Sequence, residues 1–377
     1  MRKNLGISLI LLYMIPWGIQ CIIGNFMPIY VASLPFATEK TVGEVTALGS
    51  VVIMLSQLVW TKIADRSKNK NNVLALSLVL LAAFAGLFLI KGITKPLLFI
   101  FVILFFSCYM THSSLIDIVV AENCHKTKHS FGWFRSFASF GYAFVGLLIT
   151  FLPNDNPKYF FIYCIILSLL SAVISKGIPS QKIQTVTKKS NEKIYNKDLI
   201  SFLILTFLLY FCSSILVSFF PVYYTKDIGG SVGILSLMIS IATFWEWGIM
   251  MFFAKPLEKM SPRLKFFIMA ISGVFKTGAV FVFENEYLIL ISYLFQGIWY
   301  GILWSSVTPY IKSIVPEKGF ASAQGLWIVV ASGLATFVGS YTGGVIGEAI
   351  GLKMLFGIVT VLLIIISGLS LLLVKKE

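Results

Sequence analysis

Twelve apolar segments account for most of this chain, and their length limits the folds that it can adopt. They lie near residues 5–31, 42–63, 72–91, 96–121, 130–153, 158–177, 199–225, 231–254, 265–284, 287–312, 321–346 and 351–374. A helix that crosses a bilayer needs about 20 apolar residues. Hydrophobic residues make up 58% of the sequence and charged residues 12%, which is too apolar for a soluble domain. The sequence therefore predicts an all-α membrane protein with twelve transmembrane helices.

The distribution of Lys and Arg predicts the orientation of these helices. If successive segments cross the membrane in alternate directions, 22 of the 30 Lys and Arg residues lie on the side that holds the N-terminus. Six lie on the opposite side: Lys40, Lys91, Lys95, Lys158, Lys226 and Lys353. Cytoplasmic loops are enriched in Lys and Arg, so we expect a multi-pass monomer in the cytoplasmic (inner) membrane with both termini in the cytoplasm. The same bias explains the net charge of +14 without a nucleic-acid partner.

A polar, Lys-rich stretch divides the chain into two halves. Residues 179–198 are predicted to form a cytoplasmic linker loop. The linker separates an N-terminal six-helix bundle at 1–178 from a C-terminal six-helix bundle at 199–377.

A short charge pattern recurs at the same point in each half. Asp65-Arg66 follows the second apolar segment, with Lys70 four residues later. Glu258-Lys259 follows the eighth segment, again with a basic residue four positions later. We interpret this as an internal repeat, which predicts two pseudo-symmetric bundles. Two repeats around a central cavity, with the solute near the midplane, are typical of transporters.

Four charged residues fall inside the apolar segments: Asp117, Arg135, Glu246 and Lys276. An unpaired ion in hydrocarbon costs several kcal/mol, so such charges are expected to be paired or to face a water-filled cavity. Their charges sum to zero, and we predict two pairs, Asp117 with Arg135 and Glu246 with Lys276, that face one cavity between the halves. Structural ion pairs are the alternative interpretation.

Several neighbouring side chains suit a solute that carries hydroxyl groups. The planar guanidinium of Arg135 can donate two parallel hydrogen bonds. Aromatic faces such as that of Trp299 can stack on sugar or base rings. Gln296 and Asn25 add uncharged hydrogen-bonding groups. We therefore expect these residues to contact a small-molecule substrate.

The loop after the second segment resembles the signature of the major facilitator superfamily, Gly-x-x-x-Asp-Arg-x-Gly-Arg-Arg. Asp65, Arg66 and Lys70 match the signature, whereas Thr61 and Lys68 occupy its glycine positions. The resemblance implies the twelve-helix fold of that superfamily. It also implies that Asp65, with Arg66, belongs to a cytoplasmic gate.

Within the superfamily, the stretch 131–142 is similar to the fifth helix of the lactose permease and nucleoside permease branch. The resemblance implies that Arg135 holds substrate hydroxyls and that Asp117 is the carboxylate paired with it. Tyr142 takes the place of an aromatic residue that stacks on the sugar ring.

The C-terminal half matches this branch in part. Glu246 resembles its eighth-helix glutamate, and Lys276 stands where the ninth helix carries arginine. Gln296, Trp299 and Ser332 replace the histidine, glutamate and lysine of the lactose permease proton site. A β-galactoside substrate is therefore not expected.

These observations predict proton-coupled symport of a small polyhydroxylated solute, a sugar or a nucleoside, by alternating access. Coupling requires a carboxylate whose proton affinity changes with its surroundings, and we expect Glu246 in this role, with Asp117 as the second candidate. Proton-driven export of drugs, lipids or metabolites on the same fold is the alternative. No enzymatic activity, metal or cofactor is expected, because the sequence contains neither a Walker motif nor His and Cys residues at metal-ligand spacing.

Overall fold

The computed structural model describes residues 2–67, 69–129, 131–179, 196–316 and 319–374, and at positions 2–4, 65, 111, 254 and 321 it describes the backbone alone. Helices without strands make up the secondary structure of these described residues. The α-helices are α1 Arg2–Ala32, α2 Glu39–Arg66, α3 Lys70–Leu87, α4 Lys95–Tyr109, α5 Thr111–Asn123, α6 Phe131–Phe151, α7 Lys158–Lys176, α8 Lys197–Lys226, α9 Val232–Phe252, α10 Ala254–Lys259, α11 Pro262–Val282, α12 Glu286–Ile314, α13 Phe320–Ile328, α14 Thr336–Ile350 and α15 Leu352–Leu373.

Twelve helical segments of the described chain are long and apolar enough to cross a membrane. Two of them combine several elements. The fourth joins α4 and α5 in one span, Lys95–Lys126, and the eleventh, Ser322–Ile350, contains a π-helix at Val329–Ala335 between α13 and α14. The all-α architecture with twelve transmembrane helices, which the sequence predicts, is confirmed.

The chain divides into two compact units. The first unit is Met1–Ala37, Leu48–Thr187 and Val232–Ser240, and the second unit is Thr38–Ala47, Lys188–Ser231 and Ile241–Glu377. In the first unit α1 packs against α6 and α7, and α3 packs against α7. In the second unit α11 packs against α12 and α15, and α8 packs against α14 and α15. Most of the predicted linker, residues 180–195, lies outside the described residues.

Aromatic rings fill the core of the first unit where α1, α3 and α7 meet. The rings of Phe88 and Phe161 stack with their centroids 4.5 Å apart. Tyr30 packs edge-on against Phe161 at 4.7 Å and donates a hydrogen bond of 2.9 Å to the carbonyl of Phe88. Phe88 directly follows the last residue of α3, so the contact fixes α1 against the end of a neighbouring helix.

A buried ion pair connects α3 with α5. Lys70 Nζ lies 2.7 Å from Glu122 Oε1, and both residues are buried. Lys126, four residues after Glu122, donates instead to Asn123 Oδ1 at 2.9 Å.

The backbones of α1 and α6 lie so close together at position 141 that only glycine fits there. A Cβ atom there would lie 2.3 Å from both the Cα and the carbonyl oxygen of Met14. Contacts below 3.0 Å against backbone cannot be relieved by rotating a side chain, so the two helices would have to move apart. The contact sets how closely side chains on α1 approach those on α6.

The substitution Gly141→Ala is expected to lower the free energy of unfolding by about 1–3 kcal/mol, because overpacking forces backbone shifts. Gly132 is the matched control on the same helix, since a Cβ there meets nothing within 4 Å. Unfolding in mixed micelles compares the two variants. Equal stabilities of Gly141→Ala and Gly132→Ala would contradict the close approach.

Candidate functional site

The first unit brings together the two charges that the sequence predicts as a pair. Arg135 on α6 places its Nε 3.8 Å from Asp117 Oδ1 on α5. Both side chains retain 41% of their accessible surface, so the pair is not sealed in the core. A guanidinium and a carboxylate that remain accessible can exchange part of their mutual contact for hydrogen bonds to a solute.

Two aromatic residues of α1 hold this pair, and sequence reasoning missed both. The hydroxyl of Tyr13 donates a 2.6 Å hydrogen bond to Asp117 Oδ1. The guanidinium carbon of Arg135 lies 4.7 Å from the centroid of the Trp17 ring, within the range of a cation–π contact. Tyr13 and Trp17 are four residues apart and therefore lie on the same face of α1. This spacing is the signal that the sequence offered.

A second polar contact lies further along the same two helices. Asn25 on α1 donates a hydrogen bond of 2.7 Å to the hydroxyl of Tyr142 on α6. Trp17 lies beside Arg135, and Asn25 beside Tyr142, so α1 and α6 run in the same direction. Seven residues of helix separate Arg135 from Tyr142, a rise of about 10 Å. The α1–α6 strip, defined as Tyr13, Trp17, Asn25, Arg135 and Tyr142, is therefore about as long as a nucleoside or a disaccharide.

The second unit arranges its charges differently from the prediction. Lys276 on α11 is 6% exposed and donates a hydrogen bond to Gln296 Oε1 on α12. Its Nζ also lies 4.3 Å from the centroid of the Tyr293 ring. The predicted pair of Lys276 with Glu246 is therefore wrong. The reason is packing: α11 lies against α12, which presents Gln296 to the lysine, whereas Glu246 is buried on α9.

A cavity surrounds the lysine. Its lining includes Lys276, Gln296, Trp299 and the hydroxyl groups of Ser213 and Tyr300. Its volume is about 30 Å³, and it is partly open to solvent. All lining residues belong to the second unit, so this unit contains a cavity of its own, with a few polar groups in a mainly apolar lining.

A glycine on α11 fixes one wall of this cavity. A Cβ at Gly273 would lie 2.5 Å from the Trp299 ring, so the indole lies directly against the backbone of α11. Trp299 is buried. Its ring therefore has little freedom to leave the wall.

The predicted gate residues lie at the end of α2. Arg66 is exposed there, and the side chain of Asp65 lies outside the described residues. Arg263, which occupies the corresponding basic position of the second half, donates from Nε and Nη2 to the carbonyl of Val374 at 3.2 and 3.1 Å. Both repeats thus use the basic residue that starts the next helix, Lys70 or Arg263, to hold a neighbouring helix.

The described residues include no group of three or more His, Cys, Asp or Glu side chains that could hold a metal ion. The cysteines are free, and four of them are buried.

Comparison with protein families identifies the chain. A model described as the MFS_1 like family matches residues 7–358. The chain belongs to this family. It is therefore a transporter of the major facilitator superfamily, which is not a family of enzymes, and a multi-pass membrane protein.

Two curated relatives support this assignment along nearly the whole chain. The uncharacterized transporter YwbF of Bacillus subtilis is 23% identical over 364 residues, which cover 94% of this chain and 90% of the relative. The maltose permease of Geobacillus stearothermophilus is 20% identical over 359 residues, with coverage of 93% and 90%.

Solved structures share the major facilitator fold. The nucleoside transporter NupG matches with a TM-score of 0.82 at 15% identity, over 99% of this chain and 100% of that chain. The xylose transporter XylE from E. coli, in an inward open conformation, matches with a TM-score of 0.73 at 13% identity, with coverage of 99% and 97%. The superfamily resemblance inferred from the sequence is confirmed.

Proposed function

We propose that this member of the MFS_1 like family imports a small polyhydroxylated solute, a sugar or a nucleoside, by proton-coupled symport with alternating access. The observation that carries the proposal is the Asp117–Arg135 pair with the hydroxyl of Tyr13 and the ring of Trp17 against it. The carboxylate accepts hydrogen bonds from hydroxyl groups, the guanidinium donates in a planar fork, and the indole offers a face for a ring.

The α1–α6 strip adds a second polar contact at a suitable distance. Asn25 and Tyr142 lie about 10 Å along the helix from the charged pair. A solute that bridges both contacts has polar groups at two ends, as sugars and nucleosides do. The names of similar proteins agree with this class, since they include a maltose permease, a nucleoside transporter and a xylose transporter.

Glu246 is our candidate for the proton-coupling carboxylate, with Asp117 as the second. Glu246 lies in the second unit, and its carboxylate is buried. It lies beside α12, since a Cβ at Gly297 would be 3.1 Å from the backbone nitrogen of Glu246. This position is one residue along α12 from Gln296, so protonation of Glu246 can influence the helix that lines the cavity.

Counterflow in proteoliposomes tests the proposal. Maltose, xylose and uridine are offered as labelled solutes, and accumulation is measured with and without a pH gradient. We expect exchange of at least one of them and accumulation driven by inward proton flow. Failure of all sugars and nucleosides to exchange would contradict the solute class. Outward movement of the solute driven by inward proton flow would favour export.

The variant Glu246→Gln separates exchange from coupling. It is expected to keep counterflow but to lose accumulation driven by the pH gradient, because the amide cannot carry the proton. Asp155→Asn, which neutralises an exposed carboxylate between α6 and α7, is the control and is expected to retain both activities. Proton-driven accumulation that survives in Glu246→Gln would refute the role of Glu246.

A further inference from the structure

We propose that the cavity around Lys276 is an anion subsite that binds a carboxylate or phosphoryl group of the solute. The inference rests on the proposed function, since the ligand is the transported polyhydroxylated solute, and it adds that this solute carries a negative charge.

The lysine is buried among neutral groups. Its contacts within the described residues are the amide oxygen of Gln296 and the ring of Tyr293, neither of which carries a formal charge. Pairing a buried ion with a countercharge offsets much of its desolvation cost. The described part of the protein places no carboxylate within ion-pair distance of Lys276, so an anionic ligand would supply the countercharge.

Unused hydrogen-bond donors remain around the cavity. The ammonium of Lys276 has three donor protons, and one of them is used on Gln296. Because the oxygen of Gln296 accepts from the lysine, its NH₂ group remains a donor for another partner. Ser213 Oγ and Tyr300 Oη share one hydrogen bond of 3.1 Å, which uses only one of their two protons. A carboxylate or a phosphoryl group consists of acceptors and matches such a donor set.

The cavity also offers an apolar wall beside these donors. Trp299 is held against Gly273, and Phe295 and Leu363 complete the lining on this side. The charged group of an organic anion would therefore meet the lysine, and the apolar atoms next to that group would meet the indole. A bare inorganic anion would leave this wall unused, which favours an organic anion.

Binding of matched solute pairs to the purified protein tests the inference. The probes are D-glucose against D-glucuronate, which differ by a carboxylate, and uridine against uridine 5′-monophosphate, which differ by a phosphoryl group. Isothermal titration is expected to show at least tenfold tighter binding of one anionic member than of its neutral partner. The pair that shows the preference distinguishes a carboxylate from a phosphoryl ligand.

The lysine variants locate the preference. Lys276→Met is expected to lose the preference for the anionic solute, and Lys276→Arg is expected to retain it. Lys265→Met, the same substitution earlier on α11, is expected to leave the preference unchanged. Lys276→Met is also expected to be at least as thermally stable as the wild type, because it removes a buried charge without a countercharge.

The outcomes separate the two proposals. Equal binding of the charged and neutral members, or an equal loss of both in Lys276→Met, overturns the anion subsite and leaves the proposed function standing. Absence of binding by all four probes, together with absence of counterflow, overturns both.

Discussion

Replacement of Lys70 by methionine is expected to lower the free energy of unfolding by about 3–5 kcal/mol, because Glu122 would remain buried without its countercharge. The two charged groups lie 2.7 Å apart and are almost inaccessible. Glu122 Oε2 is buried without a hydrogen-bond partner. Among the described residues, no other group therefore compensates the charge of Glu122 when the Lys70 ammonium is removed. Unfolding by SDS titration in mixed micelles measures the change.

A matched substitution and a double variant make this expectation specific. Lys126→Met removes a lysine close to Glu122 in sequence that bonds to Asn123 instead, and we expect a loss of only about 1 kcal/mol, that of one hydrogen bond. The double variant Lys70→Met with Glu122→Gln is expected to be more stable than Lys70→Met alone, because the buried charge is gone. A Lys70→Met variant as stable as Lys126→Met would show that the pair contributes little.

The substitution Arg135→Lys is expected to weaken solute binding about 10- to 100-fold, the equivalent of one lost charge-assisted hydrogen bond of about 1.5–3 kcal/mol. Lysine keeps the charge but lacks the planar fork and packs less well on the face of Trp17. Folding should change little, since both members of the Asp117–Arg135 pair are 41% exposed and exposed pairs contribute at most about 1 kcal/mol.

The measurement is the dissociation constant of the solute that shows counterflow, compared with thermal stability of the same sample. Arg263→Lys is the control, because Arg263 contacts the backbone carbonyl of Val374 and lies outside the α1–α6 strip. Unchanged affinity in Arg135→Lys, or equal loss in Arg263→Lys, would remove Arg135 from the binding site.

Much of the fold could be predicted because bilayer physics acts on short stretches of sequence. Each of the twelve spans must satisfy its backbone hydrogen bonds within itself, so length and hydropathy suffice to find it. The breaks inside the spans were not predicted. The π-helix at Val329–Ala335 and the interruption between α4 and α5 change the backbone hydrogen bonds without ending the span, and hydropathy does not register such a change.

The candidate site was predictable only in part. Asp117 and Arg135 were identified because any ion in hydrocarbon needs a partner, and the structure places them together. The same reasoning paired Lys276 with Glu246 and was wrong, because charge balance does not show which side chains are within reach. Gln296 meets the lysine because α11 packs against α12.

The sequence by itself determined that this protein spans a membrane twelve times and carries charges within the spans, because both properties depend on composition over about 20 residues. Only the tertiary structure decided that Tyr13 holds Asp117, that Lys70 is buried against Glu122, and that Lys276 lies among neutral groups in a cavity. Contacts between helices depend on how each helix is rotated about its axis and on how closely two helices approach. Close packing of side chains sets both quantities, and hydropathy sets neither.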